Sequence, residues 1–306
     1  PYKKLLDVYV AQYFGVKHAR DFLTLYGADV MEADPDAVGE PYATVVREAR
    51  QLYEEKRFFH WDLEFPEVFI DLEHADWKET PGFDVVVGNP PYSLLQGTDM
   101  QEPLRNIYPE IFSGSNDTSH FFLARGAQLL QREGYLAFIV TRYWMEAHLA
   151  SALRNFLATY VQPVRIINFE NLQVWPKVNV LTVICIFMKS SVAKTEVYLA
   201  DESCFSTALE FFNQEVLNPD CKPLSVDTDL FNDGPWHLRA IESTPIWERV
   251  HGQSIPLDKI TNNTQGIKTG NNKAFTVSPT TVREFGLERE ALIPLAFAYR
   301  RIESRA

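Results

Sequence analysis

The sequence predicts an α/β fold built on a mostly parallel, doubly wound sheet, and three observations carry that prediction. Short runs rich in β-branched and aromatic residues, at 83–88, 135–140, 164–169 and 180–188, have the length and continuity of strands buried on both faces. Stretches with apolar residues at helical spacing separate the first three of them. The first run ends abruptly at Asn89-Pro90-Pro91-Tyr92. A double proline cannot continue a strand ladder, so the chain must leave the sheet at its carboxyl edge. In open α/β sheets that edge is where ligands bind.

Taken in order, the first 28 residues place Leu5, Val8, Tyr9, Tyr13, Phe22, Leu25 and Tyr26 at helical spacing. Asp34-Pro35-Asp36 reads as a helix start, with proline in the first turn and acids at the positive end of the helix. That helix runs through Val45, Val46, Ala49 and Leu52 toward Lys56. Residues 58–61 and 65–69 are aromatic and read as extended, Pro66 confining the second to an edge or loop. After the strand at 83–88, a helix is expected over 118–131 with Asp117 as N-cap. Glu133-Gly134 reads as a turn, 135–140 as a second buried strand, and 146–160 as a helix. The strands at 164–169 and 180–188 are joined by a polar loop. Beyond Ser190 the pattern loosens: 195–200 reads as a strand, 205–215 and 242–250 as helices. Asn218-Pro219-Asp220 and Asp233-Gly234-Pro235 are breakers that mark a linker. Residues 261–275, rich in Asn, Thr, Gly and Lys, resemble a recognition loop more than a core.

Composition narrows the class. With 306 residues, 46% hydrophobic and 23% charged, the chain is an ordinary packed protein of about two domains, neither disordered nor a coiled coil. No apolar run approaches the roughly 20 residues of a membrane span. The absence of an initiator Met gives the chain the look of an internal stretch of something longer. Cys185, Cys204 and Cys221 are odd in number and widely spaced, which reads as reduced thiols in a cytoplasmic protein. The net charge of −12 argues against a generally basic nucleic-acid coat. Residues 261–306, however, hold 7 Lys+Arg against 4 Asp+Glu, so phosphate contacts could lie near the end of the chain. Surface drift explains the same imbalance. The seven histidines show no metal-ligand spacing, and no metal is expected. Pro35-Asp36 followed by Glu54-Glu55-Lys56 superficially matches a metal-dependent nuclease pattern. Both parts read better as the two ends of one helix, whereas a nuclease needs its Glu and Lys on one strand.

Asn89-Pro90-Pro91-Tyr92 suits one chemistry in particular. An exocyclic amino group on a base is a poor nucleophile because its lone pair is delocalised into the ring. Two acceptors that hold its hydrogens draw the nitrogen toward tetrahedral geometry and localise that pair. The Asn89 side-chain oxygen and the Pro90 carbonyl supply two such acceptors, and the prolines keep them aimed. Tyr92 offers a flat face for stacking on a base taken out of its duplex. The alternative is an ordinary strand-ending loop.

With those residues in view, the sequence resembles a family. Residues 83–92 look like motif IV of the gamma-class DNA amino-methyltransferases, the S-adenosylmethionine-dependent adenine N6 enzymes. Residues 117–140 resemble motifs V and VI, and 168–188 resemble motif VIII and its hairpin. Gln265 to Phe275 resembles the opening of a DNA target-recognition domain. The aromatic stretch from His60-Trp61 to Phe69 is similar to type IIG restriction-modification enzymes and their phage-defence relatives. The resemblance implies a Rossmann-like methyltransferase sheet, incomplete in its N-terminal half, acting on double-stranded DNA with S-adenosyl-L-methionine as cofactor and no metal. It implies that Asn89 and the Pro90 carbonyl bind the target amino group, with Pro91 stiffening the turn and Asn89 also bordering the cofactor. Tyr92 and Trp175 would stack on opposite faces of the flipped base. Phe122 would contact the cofactor's adenine ring, though its position on an amphipathic helix equally suits a core residue. Lys268, Asn271, Asn272 and Lys273 would touch DNA, although a solvated loop explains them nearly as well.

The departures from the family pattern matter as much. Nothing before Phe83 matches the strand and glycine-rich loop that wrap the cofactor's methionine end; Gly15, Gly27 and Gly39 are isolated. A missing N-terminal segment or a partner chain is therefore expected to supply that loop. The organisation expected is a helical segment at 1–82, a catalytic core at 83–190, a linker at 191–256 and the start of a target-recognition domain at 257–306. Two other readings remain: a non-catalytic DNA-recognition or scaffold piece, and a methyltransferase of protein glutamine or ribosomal RNA.

Overall fold

The computed structural model describes residues 2–27, 38–113, 116–170, 172–175, 180–200, 222–238, 254–255, 259–260 and 278–286. The chain divides into two compact units, 1–247 and 248–306. In the second, the described helix is Pro279–Glu284, whose N-cap Ser278 accepts a hydrogen bond from the Thr281 amide at 3.1 Å.

The first unit opens with helices α1 (Tyr2–Ala11), α2 (Ala19–Leu25) and α3 (Tyr42–Lys56). They share a small core of Val8, Ala11, Ala19, Phe22, Val45, Val46 and Ala49, which is the expected apolar set in its essentials. Tyr9 and Leu25, placed in the same stripe, face solvent instead. The expected helix start at Asp34–Asp36 lies outside the described residues. Helix α3 ends where expected, at Lys56, because Arg57 turns into the left-handed region with φ 56°. In the first aromatic run His60 keeps an extended backbone, and a one-turn helix, α4 (Trp61–Glu64), begins at the run's last residue; the second run is not extended but forms the one-turn helix α5 (Pro66–Phe69). Pro66 sits at the first helical position, where its missing N–H costs nothing, so it starts a helix instead of bordering a strand. A two-residue hairpin, β1 (Ile70–Asp71) with β2 (Asp76–Trp77), follows.

The main sheet contains β3 (Phe83–Gly88), β4 (Leu130–Thr141), β5 (Gln162–Asn168), β6 (Thr182–Met188), β7 (Lys194–Leu199) and β8 (Leu224–Asp227), in the order β3-β4-β6-β5-β7-β8. Pairing is parallel for β3–β4 and β5–β7, and antiparallel for the other three neighbours. The sheet is therefore mixed where a mostly parallel one was expected, although β3, β4, β5 and β7 share one direction. The difference arises between β5 and β6: the described residues of this connection contain no crossover helix, which a parallel pairing requires, and β6 returns antiparallel beside β5. Strand β3 also departs from expectation. It lies at the edge of the sheet among the described residues, and Val85 and Val87 are 58% and 76% exposed instead of buried on both faces.

A short helix, α6 (Gln101–Ile107), precedes α7 (Thr118–Leu129), which packs against β3 and β4. The Asp117 carboxylate caps α7 by accepting from the Ser119 amide at 2.8 Å, as the sequence suggested. The Glu133-Gly134 turn is a kink within β4, with Glu133 at φ 66° and a register shift opposite Phe83–Val85. Gly134 is required there: a Cβ would lie 2.7 Å from the Phe83 carbonyl oxygen. The helix expected at 146–160 is broken into α8 (Tyr143–Glu146), a single 3-10 turn, and α9 (Ser151–Tyr160). The stretch beyond Ser190 extends the sheet through β7 and β8, and Trp236 folds back into the main core against Trp144, Phe187 and Phe231. The expected helices at 205–215 and 242–250, the breaker at 218–220, and Cys204 and Cys221 lie outside the described residues. Cys185 is buried in β6 as a free thiol, its pKa pushed up by burial. Among the described residues no helix is long and apolar enough to cross a membrane.

Candidate active site

Strand β3 delivers Asn89 to the carboxyl edge of the sheet, and the two prolines turn the chain away. Thr118, the first residue of α7, fixes the outgoing loop: its hydroxyl donates to the Pro91 carbonyl at 2.8 Å and its amide to the Ser93 carbonyl at 2.8 Å. Leu95 adds an amide bond to the Asn116 carbonyl. The Pro90 carbonyl accepts no hydrogen bond from any described residue, and Pro90 itself is buried at the cavity wall. Asn89 is exposed, and its Oδ1 lies 2.8 Å from the Tyr92 hydroxyl, which also lies 2.9 Å from the Ile139 carbonyl on β4.

Tyr92 is half-buried against the main core. Burial raises its pKa, the Trp175 indole opposes that shift, and the negative charge of Asp117 reinforces it. Trp175 therefore sits beside Tyr92, bringing together two residues 83 positions apart that the family resemblance assigns to the same base. The Trp175 indole nitrogen is itself buried and no acceptor meets it in full hydrogen-bonding geometry. His120, on α7, has its pKa lowered to about 4 by burial, against a smaller opposing effect of Asp117. It stands as a neutral ring 3.3 Å from the Asn116 side-chain amide, which in turn bonds the Ser113 amide and the Ile111 carbonyl.

Beside Asn89 lies a cavity of about 510 Å³, within the range of small-molecule sites. Phe122, Arg125, Gly126 and Leu129 line it from a single face of α7, as residues three and four apart must. Phe122 is 48% exposed while its neighbour Phe121 is in the core, so Phe122 belongs to the cavity wall and not to the packed interior. The lining includes one cation, Arg125, and no carboxylate among the described residues. Sequence reasoning did not assign Trp61, which also lines the cavity. Its ring is held by Phe59, Phe65 and Phe83, at centroid distances of 4.9, 6.0 and 5.8 Å. The dense aromatic run from Phe58 to Phe69 was the available signal. The preceding His60 anchors it, its ring nitrogen 2.8 Å from the buried Asp7 carboxylate of α1.

Lys268, Asn271, Asn272 and Lys273 lie outside the described residues. Among the described residues no group of three or more His, Cys, Asp or Glu is placed to hold a metal ion.

The fold and this edge define an α/β protein with a cavity beside the carboxyl end of β3. The family model for the Eco57I restriction-modification methylase matches residues 23–175, half of the chain, and the chain belongs to that family. It is 25% identical over 200 residues to the type II restriction enzyme and methyltransferase RM.Eco57I of Escherichia coli, covering 63% of this chain and 19% of that protein. It is 25% identical over 244 residues to the type II methyltransferase M.BstVI of Geobacillus stearothermophilus, covering 73% and 42%. A third relative, a restriction enzyme and methyltransferase described as putative in Methanocaldococcus jannaschii, is 34% identical over 108 residues, covering 35% and 8%. The chain thus spans less than half the length of these curated relatives. Among solved structures, the type IIG restriction endonuclease BpuSI aligns over 68% of this chain and 28% of its own at 16% identity, with a TM-score of 0.37.

Proposed function

We propose that this chain is the catalytic core of an adenine N6-methyltransferase that acts on double-stranded DNA within a restriction-modification or phage-defence enzyme of the cytoplasm. The observation that carries the reading is the pair of acceptors, Asn89 Oδ1 and the Pro90 carbonyl, at the rim of an apolar cavity of small-molecule size. The target amino group would donate to both, and Tyr92 and Trp175 would bracket the extruded base. Removing a base from its stack requires such aromatic faces to offset the lost stacking. Lys268, Asn271, Asn272 and Lys273 would contribute DNA contacts.

The cofactor implied by the family is S-adenosyl-L-methionine, and the cavity fits its adenine end: Phe122 offers a ring face, and Gly88 and Asn89 close the side nearest the target base. When bound, the cofactor supplies a methyl group already activated by its sulfonium charge. The chain's own residues orient the amino group and exclude water, which are the contributions transfer requires of the protein. The methionine end needs a glycine-rich loop that no described residue provides. The outer edge of β3 is where a strand leading to that loop would pair, from an N-terminal segment or a partner chain.

Calorimetric titration with S-adenosylmethionine, followed by incubation with duplex DNA and assay for N6-methyladenine, tests the reading. Binding and methylation, both lost in Asn89→Ala at unchanged fold, are expected from a chain supplied with its cofactor loop. Methyl groups appearing on cytosine, RNA or protein would overturn the substrate assignment. A second reading, a DNA-binding piece without catalysis, is favoured by the absence of a glycine-rich cofactor loop among the described residues. It predicts duplex binding with no cofactor binding.

A further inference from the structure

We infer that Glu170 is a positioning residue for the wall that carries Trp175, acting through Arg142; the inference rests on the base-stacking reading of Tyr92 and Trp175 given above. Glu170 follows β5 by two positions and is 4% exposed, so its carboxylate is kept only because it is paired. Arg142, one residue beyond β4, donates to Glu170 Oε2 at 3.2 Å, and Asn168 Nδ2 donates to Oε1 at 2.6 Å. The Glu170 amide donates back to Asn168 Oδ1 at 3.2 Å. The backbone of Glu170 has φ 46°, a left-handed conformation in which glycine or asparagine is the usual occupant. A glutamate at this corner is strained, and it persists because its side chain over-determines the geometry.

Arg142 grips both ends of the connection between β5 and β6. Its guanidinium holds Glu170 at the entry, while its amide donates to the Leu181 carbonyl at 2.9 Å at the exit. Between them, the Leu172 amide bonds the Phe169 carbonyl at 2.7 Å, and Leu172 and Val174 pack with Phe169, Tyr198 and Ala200. The next residue is Trp175. Three residues before Arg142, within β4, the Ile139 carbonyl meets the Tyr92 hydroxyl. Two walls of the proposed base site are thus referred to one strand end, and Glu170 is the group that ties the distal wall to it.

The test is amide hydrogen exchange on the full chain, wild type against Glu170→Gln and Arg142→Gln, joined to binding of a duplex carrying 2-aminopurine at the target position. Faster exchange across 169–175 in both variants, with α7 protected as in wild type, is the expected result. The 2-aminopurine signal of the bound duplex should fall, and methylation by the complete enzyme should drop roughly 10- to 100-fold through misplacement alone, while binding of S-adenosylhomocysteine is unchanged. Wild-type exchange across 169–175 in both variants overturns the inference. Loss of protection in α7 as well would make Glu170 a core-stability residue and overturn it too. A loosened 169–175 segment in the variants, with no 2-aminopurine response in the wild type, supports the clamp and instead sinks the base-stacking reading.

Discussion

The Tyr92 hydroxyl lies 2.8 Å from Oδ1 of Asn89, the oxygen that the proposed chemistry needs as an acceptor. A phenol has one hydrogen to donate, and the Ile139 carbonyl at 2.9 Å competes for it. Asn89 keeps a second lone pair for a target amino group, while the contact with Tyr92 restricts rotation of its amide. The tyrosine therefore has two separable parts: a ring that presents a face, and a hydroxyl that holds Asn89 in register.

Tyr92→Phe separates them. The ring remains, the tether goes, and the rate of methylation by the complete enzyme should fall about 10- to 100-fold through misorientation of one acceptor. Loss of the hydrogen bond should destabilise the fold by only about 1 kcal/mol. Kinetics at saturating cofactor, with urea unfolding as the control, measure both; a wild-type rate would show that the hydroxyl has no orienting role.

Trp175→Phe probes the buried indole nitrogen, which lies beside Tyr92 but meets no acceptor in full hydrogen-bonding geometry. A buried donor without a partner costs about 1–3 kcal/mol, and phenylalanine removes that donor while keeping a stacking face. Thermal unfolding should show no loss of stability, and methylation should be retained. Trp175→Ala should lose the stacking face and with it the 2-aminopurine response. Equal damage from both substitutions would mean that the indole N–H, and not the ring face, is what matters.

His120 makes the fold sensitive to acid. Burial lowers its pKa from the ordinary histidine value of 6.5 to about 4, so the folded chain disfavours the proton that the unfolded chain accepts. The neutral ring's contribution to stability is therefore fully present above pH 6.5 and is lost as pH falls toward 4. Its size is about 3 kcal/mol, since a tenfold difference in proton affinity corresponds to roughly 1.4 kcal/mol. Urea unfolding at neutral and at acidic pH should show a smaller acid loss in His120→Gln than in wild type. Parallel pH profiles would exclude the histidine as the source.

Arg154, on α9, pins the stretch after β8 to α8 and the turn that follows it. It is buried and donates to the carbonyls of Trp144 at 2.8 Å, Ala147 at 2.9 Å and Asp233 at 2.9 Å. Arg154→Met strands three acceptors and should cost about 3 kcal/mol or more. Because Trp236 lies just beyond Asp233 and packs on Trp144, its fluorescence should shift to the red as the strap loosens. An unchanged urea midpoint and emission maximum would show that Trp236 holds the strap by itself.

Local patterns were readable where chemistry acts over a few residues. Asp117 caps α7 as its type and position indicated, and Lys56 closes α3. Asn89 emerges at a strand end because two prolines permit nothing else. Where an outcome depended on distant partners, the sequence misled or was silent. The Val85-Val86-Val87 run is hydrophobic enough for an interior strand, yet hydrophobicity does not say which neighbours a strand will have; here β4 is its partner and two valines face outward. The aromatic run around Pro66 looked extended because its residues favour strands, but short-range helix hydrogen bonds and mutual ring packing outweighed that preference.

The sequence by itself determined the strand-ending Asn-Pro-Pro-Tyr turn, the helix behind it and the family to which they point, because turns, caps and periodicities are local properties of the chain. Only the tertiary structure decided that β6 returns antiparallel between β4 and β5, that Trp61 reaches the cavity, and that Arg142 ties Glu170 to the strand behind Tyr92. Those are contacts between residues tens of positions apart. Their energies depend on burial and geometry that exist only once the sheet has formed.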